Sequence, residues 1–250
     1  MSSRGLPGKL VAMRIRTSVA VAAVLVVGAA AVAAGVASAL GSTPGSPSGP
    51  YVASVSYGGQ HRASVAVLSG AASVTVSAAA IPGQLVRVWT PSGSSIRPQL
   101  AVSGGTVQVF LAGTGRGGPA VVTIELSRSV RWWLRFSGGS SQTVLHMGNG
   151  DVGGVDFTAG SSLIAMTLSR PAGTVVLTLA GGASQVTIGV PASVPARLQL
   201  WGGASTATLG GQTYTGLGGG TVIAMPGWAR AANRYDVAAP AGVSDISVAS

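Results

Sequence analysis

Six short segments of this chain share one pattern: a glycine, two small residues, any three residues, then an apolar one. They read GAASVTV from Gly70, GSSQTVL from Gly139, GSSLIAM from Gly160, GASQVTI from Gly182, GASTATL from Gly203 and GVSDISV from Gly242. In a chain with 39 glycines the pattern is loose, and the spacing is what constrains the fold. Gly139, Gly160, Gly182 and Gly203 follow one another at steps of 21, 22 and 21 residues. A regular step in this range marks stacked repeats, and one step holds two or three short strands with their corners. Leucine-rich repeats share the period, but their L-x-x-L-x-L-x-x-N pattern is missing. The spacing predicts an all-β, β-solenoid-like stack of short strands. The alternative is an antiparallel β-sandwich whose strands each follow a Gly-Ser turn.

Val175 to Trp201 shows the unit most clearly. Val175, Leu177 and Leu179 alternate with Val176, Thr178 and Ala180, the period of two of a strand with one buried face. Gly181-Gly182 breaks that strand, GASQVTI begins another, and Pro191 and Pro195 punctuate the way to Leu198, Leu200 and Trp201. Shifted by 112 residues, Val67 to Trp89 lies on Leu179 to Trp201 without a gap, with Gly70, Ala71, Val74, Thr75, Ala80 and Trp89 matched identically. Further strand signals recur from Val65 to Val248, with Gly, Pro and Ser between them, and no convincing helical period appears after residue 50. Gly148-Asn149-Gly150 reads as a hairpin turn, because Asn-Gly tolerates positive φ.

The 250 residues, 47% of them hydrophobic, suffice for one domain with a sizeable core. Cysteine is absent, which excludes disulfides, thiolate metal sites and a cysteine nucleophile. The net charge of +10 divides into four basic residues before position 17 and a scatter of arginines after Tyr51. Nucleic-acid binding calls for a concentrated basic patch on a recognisable module, and this chain has none.

Residues 1–16 form a basic N-terminus, and residues 17–40 (TSVAVAAVLVVGAAAVAAGVASAL) carry no charge. That length spans a bilayer as a helix, with the basic side in the cytoplasm and the rest outside. Ala37-Ser38-Ala39 also offers a signal-peptidase site, so a retained transmembrane anchor and a cleaved signal peptide remain alternatives. Both make the protein extracytoplasmic, either on the cell membrane or secreted after cleavage following Ala39. Residues 41–50 (GSTPGSPSGP) form a Gly/Ser/Pro linker, and residues 51–250 form the β-repeat domain.

The sharpest strand is VRWWLRF. Val130, Trp132, Leu134 and Phe136 share its core face, and Arg131, Trp133 and Arg135 share the other. With Arg128 just before them, these three make the sole basic-aromatic cluster and a possible binding surface for anionic envelope polymers or another envelope protein. The alternative is protection, arginines guarding an apolar strand against edge-to-edge aggregation. Gly113, Gly115 and Gly118 match G-x-G-x-x-G, but a strand follows instead of a helix, so an ordinary loop is expected. Asp151 and Asp156 lie near the Asn-Gly turn as a single calcium-roll-like copy, too few ligands for a site. His61 and His146 stand alone, and no spacing pairs two of the five carboxylates for acid–base work. No catalytic residue, metal site or cofactor is expected.

The stretch from Gly160 to Ser205, with its Gly-Gly-Ala-Ser corner and V-P-A-x-V-P step, and the closing GVSDISV resemble a family of bacterial envelope domains. That family includes the putative adhesin domains and the C-terminal domains of cell-wall-active antibiotic response proteins, grouped as toastrack domains. The resemblance implies a solenoid-like stack outside the membrane and offers no catalytic residue to carry over. It makes a structural or interaction module, adhesin-like and not an enzyme, the leading expectation. An accessory of envelope-stress sensing comes second and a carbohydrate-active β-helix enzyme third.

Overall fold

The computed structural model describes residues 49–249, so the expectations for residues 1–40, and for all but the last two residues of the 41–50 linker, lie outside the described residues. Among the described residues there are nineteen strands and one short 3-10 turn, Trp228–Arg230, and no helix long and apolar enough to cross a membrane. The first seven strands are β1 (Tyr51–Ser56), β2 (Arg62–Val67), β3 (Ala71–Ala79), β4 (Gln84–Thr90), β5 (Ile96–Ser103), β6 (Thr106–Gly113) and β7 (Val121–Ser127). Next come β8 (Arg131–Phe136), β9 (Ser140–Met147), β10 (Asp151–Phe157), β11 (Ser161–Leu168), β12 (Thr174–Leu179) and β13 (Ala183–Gly189). The last six are β14 (Ala196–Leu200), β15 (Ala204–Leu209), β16 (Gln212–Leu217), β17 (Thr221–Ala224), β18 (Arg234–Ala239) and β19 (Val243–Ala249).

They form a ten-stranded and a nine-stranded sheet with one apolar core, to which both contribute. Seven times, a strand of the nine-stranded sheet turns a corner into the next strand, which lies in the ten-stranded sheet. These seven rungs stack in the same order in both sheets: β6/β7, β2/β3, β8/β9, β10/β11, β12/β13, β18/β19, β14/β15. Every pairing between neighbouring rungs is parallel. The expected solenoid is therefore the fold. Antiparallel pairing is confined to the ends, where β4, β1 and β5 cover one terminal rung and β16 and β17 the other. Such caps keep the open ends of a repeat stack from serving as templates for further strands.

The shared pattern has a structural meaning. All six glycines sit at one corner, where each strand of the ten-stranded sheet begins, and the backbones of successive rungs touch there. Ala71 N donates to Gly139 O at 3.2 Å, Ser140 N to Gly160 O at 3.2 Å and Ser161 N to Gly182 O at 3.3 Å. A Cβ would lie 2.9 Å from Gly139 O on Gly70, 3.0 Å from Gly181 O on Gly160 and 2.8 Å from Leu217 O on Gly203, so these corners leave little room for a side chain, whereas on Gly139 it would stand at an ordinary 3.5 Å from Gly160 O. The strand pairing passes over the second small residue in each of these rungs: Ala72, Ser141, Ser162, Ser184, Ser205 and Ser244. All six are exposed. The apolar positions that follow turn inward, and equivalent core residues stack from rung to rung, as Phe136 and Phe157 do with ring centroids 4.6 Å apart.

Three expectations need correction. Rung order is not chain order: the pattern at Gly242 lies between those at Gly182 and Gly203, because β19 is inserted between β13 and β15. The 112-residue repeat holds for β2/β3 on β12/β13 but fails at its third strand. β4, which carries Trp89, runs back antiparallel in the ten-stranded sheet, whereas β14, which precedes Trp201, enters the nine-stranded sheet as a rung. The turn at Gly148-Asn149-Gly150 makes no hairpin. It joins β9 to β10 across the two sheets, and neither Asn149 nor Gly150 adopts positive φ.

Candidate functional site

Strand β8 alternates as its sequence predicts. Trp132, Leu134 and Phe136 are buried, while Trp133 is 39% exposed on the outer face of the nine-stranded sheet. Its surroundings come from the neighbouring rungs. The parallel register sets Asp151 beside Arg131, Gly154 beside Trp133 and Asp156 beside Arg135. Arg135 Nε donates to Asp156 Oδ2 at 3.2 Å. Arg131 donates through a terminal nitrogen to Ala172 O at 2.9 Å, and its Nε stands 3.8 Å from Asp151 Oδ1. The two arginines that read as a basic run are thus charge-balanced by carboxylates from the next strand.

The pairing of β8 with β10 is irregular between Val152 and Gly154, which leaves Gly153 as an extra residue. The Trp133 indole fills the space over this glycine pair. A Cβ on Gly153 would fall inside contact distance of Cε2 and Cζ2, and one on Gly154 would lie 3.2 Å from Cδ1. The Arg131 guanidinium sits 5.6 Å from the ring centroid. Trp133 is thereby held in place. Around it runs a shallow hollow of about 620 Å³, lined on one side by Ser64, Ala66 and Thr106 and on the other by Thr174, Val176 and Thr178. Arg128 does not join this group. It is exposed in the turn before β8 and lines a separate hollow with Tyr57, Ile81 and Pro82.

A second polar cluster lies farther along the same face and was not visible in the sequence. Arg197 on β14 donates from Nε to Asp236 Oδ1 at 3.0 Å and from a terminal nitrogen to Oδ2 at 2.6 Å. Gln199 Nε2 adds a bond to Oδ1 at 2.8 Å. Trp228 packs against two guanidinium groups, Arg197 at 3.8 Å and Arg234 at 4.3 Å from its ring centroid, and its Nε1 donates to Tyr235 O at 2.7 Å. Burial alone pushes the Asp236 carboxyl up. The bonds from Arg197 and Gln199, with the charges of Arg197 and Arg234, outweigh this and hold it below the usual carboxylate value. The same partnership raises Arg197. Burial, with a smaller contribution from Asp151, pushes the Tyr235 hydroxyl up, and Tyr235 donates to Ser169 O at 2.7 Å.

This cluster is a clamp on the last rungs, and its linkage to pH has a definite sign. A carboxylate lowered on folding stabilises the native state above its unfolded pKa of about 3.8 and loses that contribution as pH falls through the lower folded value. Asp236→Asn is expected to cost about 2–4 kcal/mol near pH 7, because Arg197 and Gln199 lose their acceptor. The gap between wild type and variant should close below pH 4 in urea titrations. A gap independent of pH would remove Asp236 from the account.

The remaining expected features fall elsewhere. Glu125 pairs with Arg87, so four of the five carboxylates each face an arginine. Asp151 and Asp156 point to cations rather than to a shared ligand space. The Gly113–Gly118 loop is shaped by packing, since a Cβ on Gly118 would collide with Gly93 O. His61 and His146 are exposed.

No family model and no curated protein sequence matches the chain. Among solved structures, the fold is shared with a putative cell adhesion protein from Clostridium sporogenes ATCC 15579. The TM-score is 0.61 at 12% identity, over 80% of this chain and 98% of that one. A putative adhesin from Bacteroides fragilis NCTC 9343 aligns over 79% of this chain and 96% of its own at 8% identity, with a TM-score of 0.20.

Proposed function

We propose that this protein is an extracytoplasmic, adhesin-like interaction module of the cell envelope, without catalytic chemistry, anchored or exported by its N-terminal segment. One observation carries the reading. A rigid stack of parallel rungs presents a large aromatic side chain, pinned in place, at the centre of an open hollow. Solenoids place function on such extended faces, because each rung adds a fixed row of side chains. The shared fold of the Clostridium sporogenes protein, whose name refers to cell adhesion, agrees with it. The uncharged segment 17–40 behind a basic N-terminus supports export.

An anionic envelope polymer as partner is favoured by Arg62. It stands beside Arg131 in register and makes no ion pair among the described residues. The test is co-sedimentation of the full chain with isolated bacterial envelope fragments. Wild type should pellet with them. The variant Arg131→Ala/Trp133→Ala/Arg135→Ala should stay folded and remain in the supernatant. If the three residues merely protect the strand, the variant should instead aggregate more and pellet with the fragments just as well, and the reading of this face as a binding surface fails.

A further inference from the structure

The charge balance around Trp133 narrows the ligand class, on the premise that this face is the binding surface. We infer that the hollow is a saccharide site in which an uncharged sugar ring of a glycan chain stacks on the Trp133 indole. Three observations converge on that occupant.

The first is the platform. An indole spanning Gly153 and Gly154 cannot sink further into the sheet, because backbone lies directly beneath it. The 39% of Trp133 that stays exposed is open to a ligand. The face of an aromatic ring carries negative charge density. The axial C–H bonds of a pyranose form an apolar, weakly positive patch of matching size. A flat aromatic ring on a rigid element is therefore pre-organised for a sugar, with little ordering entropy left to lose on binding.

The second is the polar complement. The Trp133 Nε1–H and the hydroxyls of Ser64, Thr106 and Thr178 make no hydrogen bond among the described residues, yet all four side chains line the same hollow. Hydroxyls and an N–H around an aromatic floor suit a ligand rich in hydroxyl groups. The volume of about 620 Å³ lies in the range of small-ligand sites.

The third is charge complementarity. Arg131 is engaged by Asp151, and the hollow itself is lined by one arginine and one carboxylate, Arg135 and Asp156, paired with each other, while Arg62 lies outside its lining. Within the hollow an acidic sugar would have to compete with Asp156 for Arg135, whereas an uncharged ring meets both members of the pair as bonding partners; Arg62, outside the hollow, stays available to acidic groups elsewhere along the polymer. Balanced charge at the hollow selects a neutral ring.

The experiment follows the indole N–H signals of the ¹⁵N-labelled full chain in a detergent that carries no sugar. It is titrated with cellohexaose, maltohexaose and chitohexaose, and with polygalacturonate as the charged probe. A neutral oligosaccharide is expected to move the Trp133 signal. It should leave those of Trp132 and Trp228 in place, because their N–H groups are already bonded to Ser127 O and Tyr235 O. Binding should persist in 0.5 M salt, since stacking is not screened as charge pairing is. Trp133→Ala should weaken it about tenfold or more, the scale of one lost aromatic contact. Trp133→Phe should retain part of it. Gly153→Ala, which lifts the ring without touching the flanks, should weaken it several-fold. No response to any neutral probe, or binding unaffected by Trp133→Ala, overturns the inference. Salt-sensitive binding of polygalacturonate alone also overturns it and leaves the adhesin-like reading standing. That reading falls separately if wild type fails to sediment with envelope fragments.

Discussion

Trp132→Ala is expected to lower the stability of the domain by about 3–5 kcal/mol, the range for removing a large aromatic side chain from a packed core. Trp132 has no exposed surface and its Nε1 donates to Ser127 O at 2.9 Å, so the variant leaves a cavity and removes one of the two hydrogen bonds which that carbonyl accepts, the other coming from Val130 N at 3.3 Å. Trp133→Ala, one residue on, should cost about 1 kcal/mol or less, since its ring lies outside the sheet and its loss strands no hydrogen bond. Urea denaturation of the two variants side by side measures the difference. Equal losses would mean that the inward and outward faces of β8 are wrongly assigned.

The second large effect is expected at the corner ladder, from adding one methyl group. Gly181 precedes the shared Gly182 corner, and a Cβ there would overlap the carbonyl of Ala159 and the amide of Gly160 in the rung beside it. Both obstacles are backbone, fixed by the parallel pairing, and neither can rotate away. Gly181→Ala should therefore force two rungs apart and cost about 3 kcal/mol or more, at the upper end of overpacking penalties. Gly117→Ala is the control, because a Cβ there meets nothing within 4 Å and its φ is not positive. It should change stability by about 0.5 kcal/mol or less. Similar midpoints for the two variants would show that the corner is looser than the rung contacts require.

The contrast between these sites shows what the sequence carried. The outward and inward residues of VRWWLRF could be separated because alternation is a local property of one strand. The six glycine patterns were legible for a related reason. Six of the seven rungs pass the same corner on a glycine, and at Gly70, Gly160 and Gly203 the backbone of a neighbouring strand or loop comes too close for a side chain to fit easily. The order of the rungs was not legible. Nothing in GVSDISV says that Val243–Ala249 enters between β13 and β15, because every rung offers the same parallel edge. Trp89 and Trp201 matched in sequence for the same local reason and then parted in space.

The site divides along the same line. Arg131, Trp133 and Arg135 were visible as neighbours in the chain, whereas their partners come from β10 through register alone. Asp151 and Asp156 looked like faint calcium ligands until pairing set them beside the arginines. The Gly153-Gly154 pair had no meaning until an indole lay across it. The Arg197–Asp236 clamp, with Trp228 between two guanidinium groups, had no signal at all. Its members span separate strands and a turn, and no local pattern links them.

Rung register lays Trp133 across Gly153 and Gly154 and so makes the platform on which the binding face depends. The chemical shifts of the Hα protons of those two glycines test it directly, because protons beneath an indole face are moved strongly upfield by its ring current. Gly153 and Gly154 should show such shifts in the wild type and return to ordinary positions in Trp133→Ala, with Phe136 and Phe157 still stacked. Ordinary glycine shifts in the wild type would mean that the indole lies elsewhere, and the platform and the binding face built on it would go with it.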